Sequence, residues 1–228
     1  MTTQGFVKGP LGGWEQVATR DGETARVQVQ GAALVVLVAD ADGRTTAQIA
    51  IDYPAHGYGG HELLLSAEET YLAMFLYSGQ REVGYELFRF RPALEHVARL
   101  PYVFGMGNGP AFSDDEGLLA LAWTINSGLY AEEAELDDDE CTVASCVLAW
   151  ADVHVRELPD GPTSTCRIDV RLPAGFPFEG DDWYTPQSLR ISRAEGVAFT
   201  TDWGVDVRIP IPLPESIVID GPTARGAS

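Results

Sequence analysis

The run Tyr53-Pro54-Ala55-His56-Gly57-Tyr58-Gly59-Gly60-His61-Glu62 holds two of the four histidines in the sequence. Imidazole ligates metals through a neutral nitrogen, and its ordinary pKa suits proton transfer near neutrality. Glycines at 57, 59 and 60 let such a loop fold closely around a ligand. His56, Tyr58 and His61 are therefore the candidate binding residues of this run. The two histidines are five positions apart, which on a helix puts them about 140° apart, so joint action needs a loop. The competing reading is a glycine-rich crossing between strands with its polar side chains in solvent. No metal, cofactor or catalytic residue is assigned on this pattern.

Other segments carry weaker chemical signals. His56-Gly57-Tyr58-Gly59-Gly60 resembles the oxyanion loop of α/β-hydrolases, yet the sequence has no Gly-x-Ser-x-Gly elbow to hold a nucleophile. Phe104-Gly105-Met106-Gly107-Asn108-Gly109-Pro110 has the composition of a phosphate loop without its Lys-Ser/Thr ending. Asp114-Asp115 and Asp181-Asp182 could meet a hard cation, but neither fits a twelve-residue calcium loop and both read as turn acids. The three cysteines, Cys141, Cys146 and Cys166, are too few and too odd in number for a disulfide scaffold. They read as buried thiols in a reducing, cytoplasmic compartment, with a Cys141–Cys146 bridge as the alternative in an exported protein.

Charge says more about partners. The 228 residues include 15 Lys+Arg and 34 Asp+Glu, a formal net charge of −19. Residues 1–110 carry 8 basic and 12 acidic side chains, and residues 111–228 carry 7 and 22. Seven acids, Glu132, Glu133, Glu135, Asp137, Asp138, Asp139 and Glu140, stand in one stretch that reads as an insertion at 131–141. Such a block repels itself and forms a solvated loop, or an electrostatic handle for a basic protein. Nucleic acid and anionic membranes are negative themselves and are not expected partners. No apolar run approaches the roughly 20 residues of a membrane span, and Met1–Trp14 lacks the basic and apolar regions of an export signal.

The elements that must position these residues read as strands. Arg20-Asp21-Gly22-Glu23 and Asp42-Gly43 are hairpin turns between alternating or apolar runs, Trp14–Thr19 with Thr24–Gln30, and Ala33–Val38 with Thr45–Ile51. Val153 and Val155 alternate with His154 and Arg156, and Val205, Val207 and Ile209 with Asp206 and Arg208. Three segments share an apolar residue, Ser, two variable residues, Glu and an apolar run. They are Leu65-Ser66-Ala67-Glu68-Glu69, Phe112-Ser113-Asp114-Asp115-Glu116 and Ile191-Ser192-Arg193-Ala194-Glu195. Ser-x-x-Glu also marks a helix start. The runs that follow, Tyr71–Tyr77, Leu118–Trp123 and Val197–Phe199, lack the polar breaks of a surface helix, so the strand reading is preferred. Gly117 and Gly196 are then expected to supply the turn conformations. Repetition makes the three serines turn residues, because a nucleophile is needed once.

Pro110-Ala111-Phe112-Ser113-Asp114-Asp115-Glu116-Gly117-Leu118-Leu119-Ala120 resembles the Phe-Ser-Pro-Asp-Gly turn of blades in TolB-like and WD40-type β-propellers. It lacks the turn proline, and Trp-Asp is absent from the strand ends. The resemblance implies a scaffold that most often binds partners. The expected fold is all-β, a small propeller-like array of four to five blades, with an antiparallel β-sandwich as the alternative. Residues 14–220 form one domain in this reading, between flexible segments at 1–13 and 221–228. Leu94–Leu100, after Pro92, is read as a late blade strand and Pro101–Gly109 as the crossing to the next blade. Trp123, Trp150, Trp183 and Trp203 are expected to fill the core or seal blade edges. The expected function is a non-catalytic interaction module, a scaffold, inhibitor or immunity-type protein with an acidic surface for a basic partner. The alternative is a hydrolase or lyase on a small polar or sugar substrate, with His56 and His61 in a propeller funnel.

Overall fold

The computed structural model describes residues 7–8, 14–30, 33–52, 60–78, 82–125, 146–173 and 186–221. These form β-strands and turns with no helix, and they divide into two compact units. The first unit comprises the described part of 1–104 with Asp114–Glu116; the second comprises Gly105–Ser113 and the described residues from Gly117 on.

The first unit carries two antiparallel meanders of the blade type. One runs through β1 (Val7–Lys8), β2 (Trp14–Ala18), β3 (Thr24–Gln30), β4 (Ala33–Ala39) and β5 (Thr45–Asp52) in that order. The other runs through β6 (Gly60–Leu65), β7 (Tyr71–Ser78), β8 (Glu82–Arg89) and β9 (Glu95–Phe104). The Asp-Gly turns stand where expected: Gly22 and Gly43 adopt φ of 84° and 80° and close β2–β3 and β4–β5. Leu34, Val36 and Val38 of β4 meet Leu72, Met74 and Leu76 of β7 in one apolar core. The intervening residues of these strands, Val35, Leu37, Ala73 and Phe75, are buried too. Burial on both faces is why these inner strands read as unbroken apolar runs.

The second unit holds β10 (Met106–Gly107), β11 (Ala111–Phe112), β12 (Leu118–Thr124), β13 (Cys146–Glu157), β14 (Thr163–Leu172), β15 (Gln187–Ser192), β16 (Gly196–Thr200), β17 (Asp206–Ile209) and β18 (Ser216–Asp220). One sheet runs β10-β12-β13-β14-β18, with β11 also on β12, and a second runs β15-β16-β17. β14 and β18 pair in parallel, with Arg167 opposite Ser216, so the polypeptide passes through the whole of the smaller sheet before returning. Their shared core centres on Trp150, whose ring lies 4.9 Å from Trp203 and 6.1 Å from Phe199. Trp123 is also buried, as expected of a core tryptophan; the side chains of Trp14 and Trp183 lie outside the described ones. The protein is thus all-β and built of blade-like sheets. No helix among the described residues is long and apolar enough to cross a membrane.

Two local expectations are corrected. Residues 101–104 continue β9 instead of crossing to another blade. β9 is the outermost strand of its sheet, and its register slips between Tyr85↔Leu100 and Val83↔Val103. A proline is tolerated at such a bulged edge because no ladder hydrogen bond needs its missing N–H. Gly117 is not the residue that bends its corner; Glu116 is, with φ of 54°.

Glycine positions give a direct test of the corners. Gly43 and Gly196 share φ of 80°. A Cβ at Gly43 would meet nothing within 4 Å, whereas at Gly196 it would run into the Ile209 carbonyl. Gly43→Ala should cost about 1–2 kcal/mol, the strain of a left-handed non-glycine residue. Gly196→Ala should cost about 2 kcal/mol more, because backbone must move. Urea unfolding of the two variants measures the difference; equal losses would contradict this packing.

Candidate functional site

Each Ser/Glu segment is a hairpin corner. Ser66 N–H donates to the Tyr71 carbonyl at 3.0 Å, and Tyr71 N–H donates to Ser66 Oγ at 2.9 Å. Ser113 and Leu118 repeat both bonds at 3.0 and 2.9 Å. Ser192 Oγ accepts from Glu195 N–H at 3.0 Å. The helix-start reading therefore falls away, and the serines serve as turn acceptors. Glu69 and Glu116 occupy the left-handed position, with φ of 62° and 54°, in corners where glycine would be less strained.

Their side chains explain the choice. Glu69 Oε1 accepts from Arg20 N–H at 2.7 Å, in the β2–β3 turn. Glu116 Oε1 accepts from Glu68 N–H at 2.5 Å, in the β6–β7 turn. Each left-handed glutamate thus caps an amide of the turn before it, a contact glycine cannot make. Burial pushes the Glu116 carboxyl up, but hydrogen bonds from the Ser66 and Thr70 hydroxyls and from the Glu68 and Thr70 amides outweigh it and hold the group below the usual range. Arg91 Nη2 lies 2.8 Å from Glu23, 3.5 Å from Glu69 and 3.6 Å from Asp21. Arg20 reaches Glu68 at 3.5 Å and the Ala67 carbonyl at 2.5 Å.

These corners gather Asp21, Glu23, Glu68, Glu69, Asp114, Asp115 and Glu116 in the first unit, with Arg20 and Arg91 as the basic residues among them. Asp21 and Glu68 are 78% and 71% exposed, and Asp114 and Asp115 are exposed as well. The sequence marked Asp114-Asp115 as turn acids; their company comes from segments about 45 and 90 residues earlier. No local pattern records that.

A second cluster lies on the sheet of β6–β9. Glu86, with its side chain only 3% exposed, accepts from Arg99 Nε at 2.6 Å and pairs with His96 Nε2 at 2.7 Å. His96 and Arg99 are three apart, so a regular strand would point them to opposite faces. Phe88 pairs with His96 while Leu87 pairs with Ala98, so Val97 is the extra residue of a bulge. That bulge returns Arg99 to the face of His96, and both meet Glu86. The His96 and Phe88 rings meet edge to face with centroids 5.4 Å apart.

Of the candidate binding residues, His61 alone is described. His56, Tyr58 and the acids Glu132, Glu133, Glu135, Asp137, Asp138, Asp139 and Glu140 lie outside the described residues, as do Cys141 and Asp181-Asp182. His61 shares its face of β6 with Leu63 and Leu65 and is 7% exposed. Burial drives its pKa down to about 4. His154 on β13 is likewise lowered to about 4, by burial first and then by Arg156. Both rings are therefore neutral at pH 7. β6 and β9 are the opposite edges of their sheet, and the row of His96 meets β6 at Leu65, four residues along from His61, which sets the two histidines about 20 Å apart. Among the described residues no three His, Cys, Asp or Glu side chains could hold a metal ion.

Two pH dependences follow with definite signs. A histidine with a depressed folded pKa leaves the unfolded state holding more protons below pH 6.5, so stability falls as pH drops from 6.5 toward 4. Each ring contributes up to about 3 kcal/mol of that loss. His61→Gln and His154→Gln should each flatten the slope in urea unfolding, and unchanged slopes would refute the assignment. For Glu116 the stabilisation is complete above the unfolded carboxyl range and is lost as pH falls through the lower folded value. Glu116→Gln should be less stable than the parent by about 1 kcal/mol at neutral pH, and the gap should close in acid. A gap that persists at low pH would show that charge plays no part in the cap.

No protein-family model and no curated protein matches the sequence. Solved structures do. Hydrazine synthase of Kuenenia stuttgartiensis is 12% identical with a TM-score of 0.43, over 80% of this protein and 47% of that one. A protein from Lactobacillus plantarum is 14% identical with a TM-score of 0.40, over 83% and 53%. Kluyveromyces lactis Hsv2 is 13% identical with a TM-score of 0.34, over 84% and 58%. The protein thus spans about half the length of the structures it resembles, and scores this low carry no functional reading.

Proposed function

We propose that the protein is a non-catalytic interaction module, a cytoplasmic scaffold, inhibitor or immunity-type protein whose acidic surface takes a protein with a basic patch. Kinship with the blades of TolB-like and WD40-type propellers is part of the same reading. The observation that carries it is the acidic corner face of the first unit, seven carboxylates against two arginines. Even with Arg20 and Arg91 engaged there, the face keeps a surplus of negative charge. Opposed patches of this kind raise association rates and select against wrongly charged partners. The acidic stretch at 132–140 adds charge of the same sign. Nucleic acid and anionic lipid are repelled by both.

The test separates this face from bulk charge. Binding of an arginine-rich peptide is measured at low and high salt for the parent and for two variants of equal net charge. One carries Asp21→Asn, Glu68→Gln, Asp114→Asn and Asp115→Asn. The other carries Asp42→Asn, Asp52→Asn, Asp160→Asn and Glu215→Gln, all at exposed positions elsewhere. The corner variant should bind about tenfold more weakly than the control variant and lose salt dependence. Equal affinities for the two variants would reject the corner face. A third variant neutralised across 132–140 measures the contribution of that stretch.

A further inference from the structure

We propose that His96 and Arg99 form a binding point for the oxyanion head of a small ligand, a carboxylate or a phosphate, with Glu86 as the positioning residue. The Glu86 carboxylate is buried and uses one oxygen for each partner. His96 meets it through Nε2 and Arg99 through Nε. The remaining groups, His96 Nδ1 and both Nη groups of Arg99, have no further partner among the described residues. They belong to side chains 33% and 44% exposed, so the free nitrogens are open to solvent.

Three features make this a prepared site. A buried carboxylate is costly without its donors, so both side chains are held in place by a group they cannot abandon. The His96 ring is further fixed against Phe88. The Val97 bulge brings the two side chains to the same face of β9. Ordering is therefore complete before a ligand arrives, which lowers the entropic cost of binding. The Nη fork of arginine matches the two oxygens of a carboxylate or phosphate. His96 Nδ1 beside it can accept from a protonated oxygen of the head group, or donate to a bare one when the ring carries both protons. Negative charge elsewhere on the protein opposes large polyanions, but its reach is screened to about 8 Å at physiological ionic strength. A small anion held by directional bonds is the ligand that fits.

Inorganic phosphate and, separately, acetate are titrated into the full-length protein while the histidine ring resonances are followed by NMR. The His96 signals should shift and saturate, and those of His61 and His154 should stay put. Saturation by phosphate alone assigns a phosphate head, by acetate alone a carboxylate, and by both the shared oxyanion chemistry. Arg99→Lys should weaken binding about tenfold and Arg99→Gln should abolish saturation. Arg99→Lys keeps a cation for the buried Glu86, so the test stands on that variant if Arg99→Gln, which takes the cation away, fails to fold. In Glu86→Gln the ring nitrogen signals of His96 should move as its carboxylate partner is lost, together with weaker binding. Motionless or non-saturating His96 signals with both anions, or full affinity in Arg99→Gln, would overturn the site.

Discussion

A carboxylate taken out of water must be met by donors, and in this protein that requirement ties distant turns together. Glu69 and Glu116 accept strained left-handed backbone at the tips of their hairpins. In return their oxygens satisfy amides of the turn before, at Arg20 and Glu68. A glycine would relax the corner and leave those amides to solvent. The buried hydroxyls of Ser66 and Ser113 complete each corner from inside. Strand packing supplies most of the stabilisation, through two-sided burial of β4, β7 and β12. The corners decide which strand ends lie together, and with them which charges share a surface.

Much of the architecture was legible from local signals. Asp-Gly pairs sit at φ-positive turns, the alternating Val207 and Ile209 lie on the half-buried β17, and the Ser/Glu repeat marks hairpin tips. What escaped was whatever depends on parity or on company. Glycine at 117 looked like the bend, yet Glu116 bends because its carboxylate reaches an amide 48 residues away. Pro101 looked like a strand end, but an edge strand with a register slip accommodates it. His96 and Arg99 have opposite parity in the sequence, and only the Val97 bulge reunites them. The histidines singled out by their glycine-rich setting fared differently. His61 proved to be a neutral ring on the apolar face of β6, a role its neighbours Leu63 and Leu65 foreshadow.

The two clusters use charge in contrasting ways. At the corner face, carboxylates outnumber guanidiniums and the excess is displayed to water, where salt screens it. At Glu86 the charge is hidden, and what reaches the surface is an oriented guanidinium fork beside an imidazole nitrogen. The first arrangement suits long-range attraction of a large partner. The second suits short-range, directional recognition of something small. The sheet of β6–β9 contributes to both, through its Ser66 corner at one end and its bulged edge strand along the side.

The parallel pairing of β14 with β18 has a kinetic meaning. Among the described strands every other pairing is antiparallel, and this one joins Arg167 to Ser216 across a stretch of sequence that includes the entire β15–β17 sheet. Hairpins such as β15–β16 can zip from their own tips, whereas this clasp must wait for a long loop to close, an entropic cost that grows with the logarithm of the enclosed length. The second unit should therefore complete its larger sheet last, leaving the outer edge of β14 bare for the longest time. During synthesis or refolding, that edge is the place where one molecule is most exposed to pairing with the wrong neighbour.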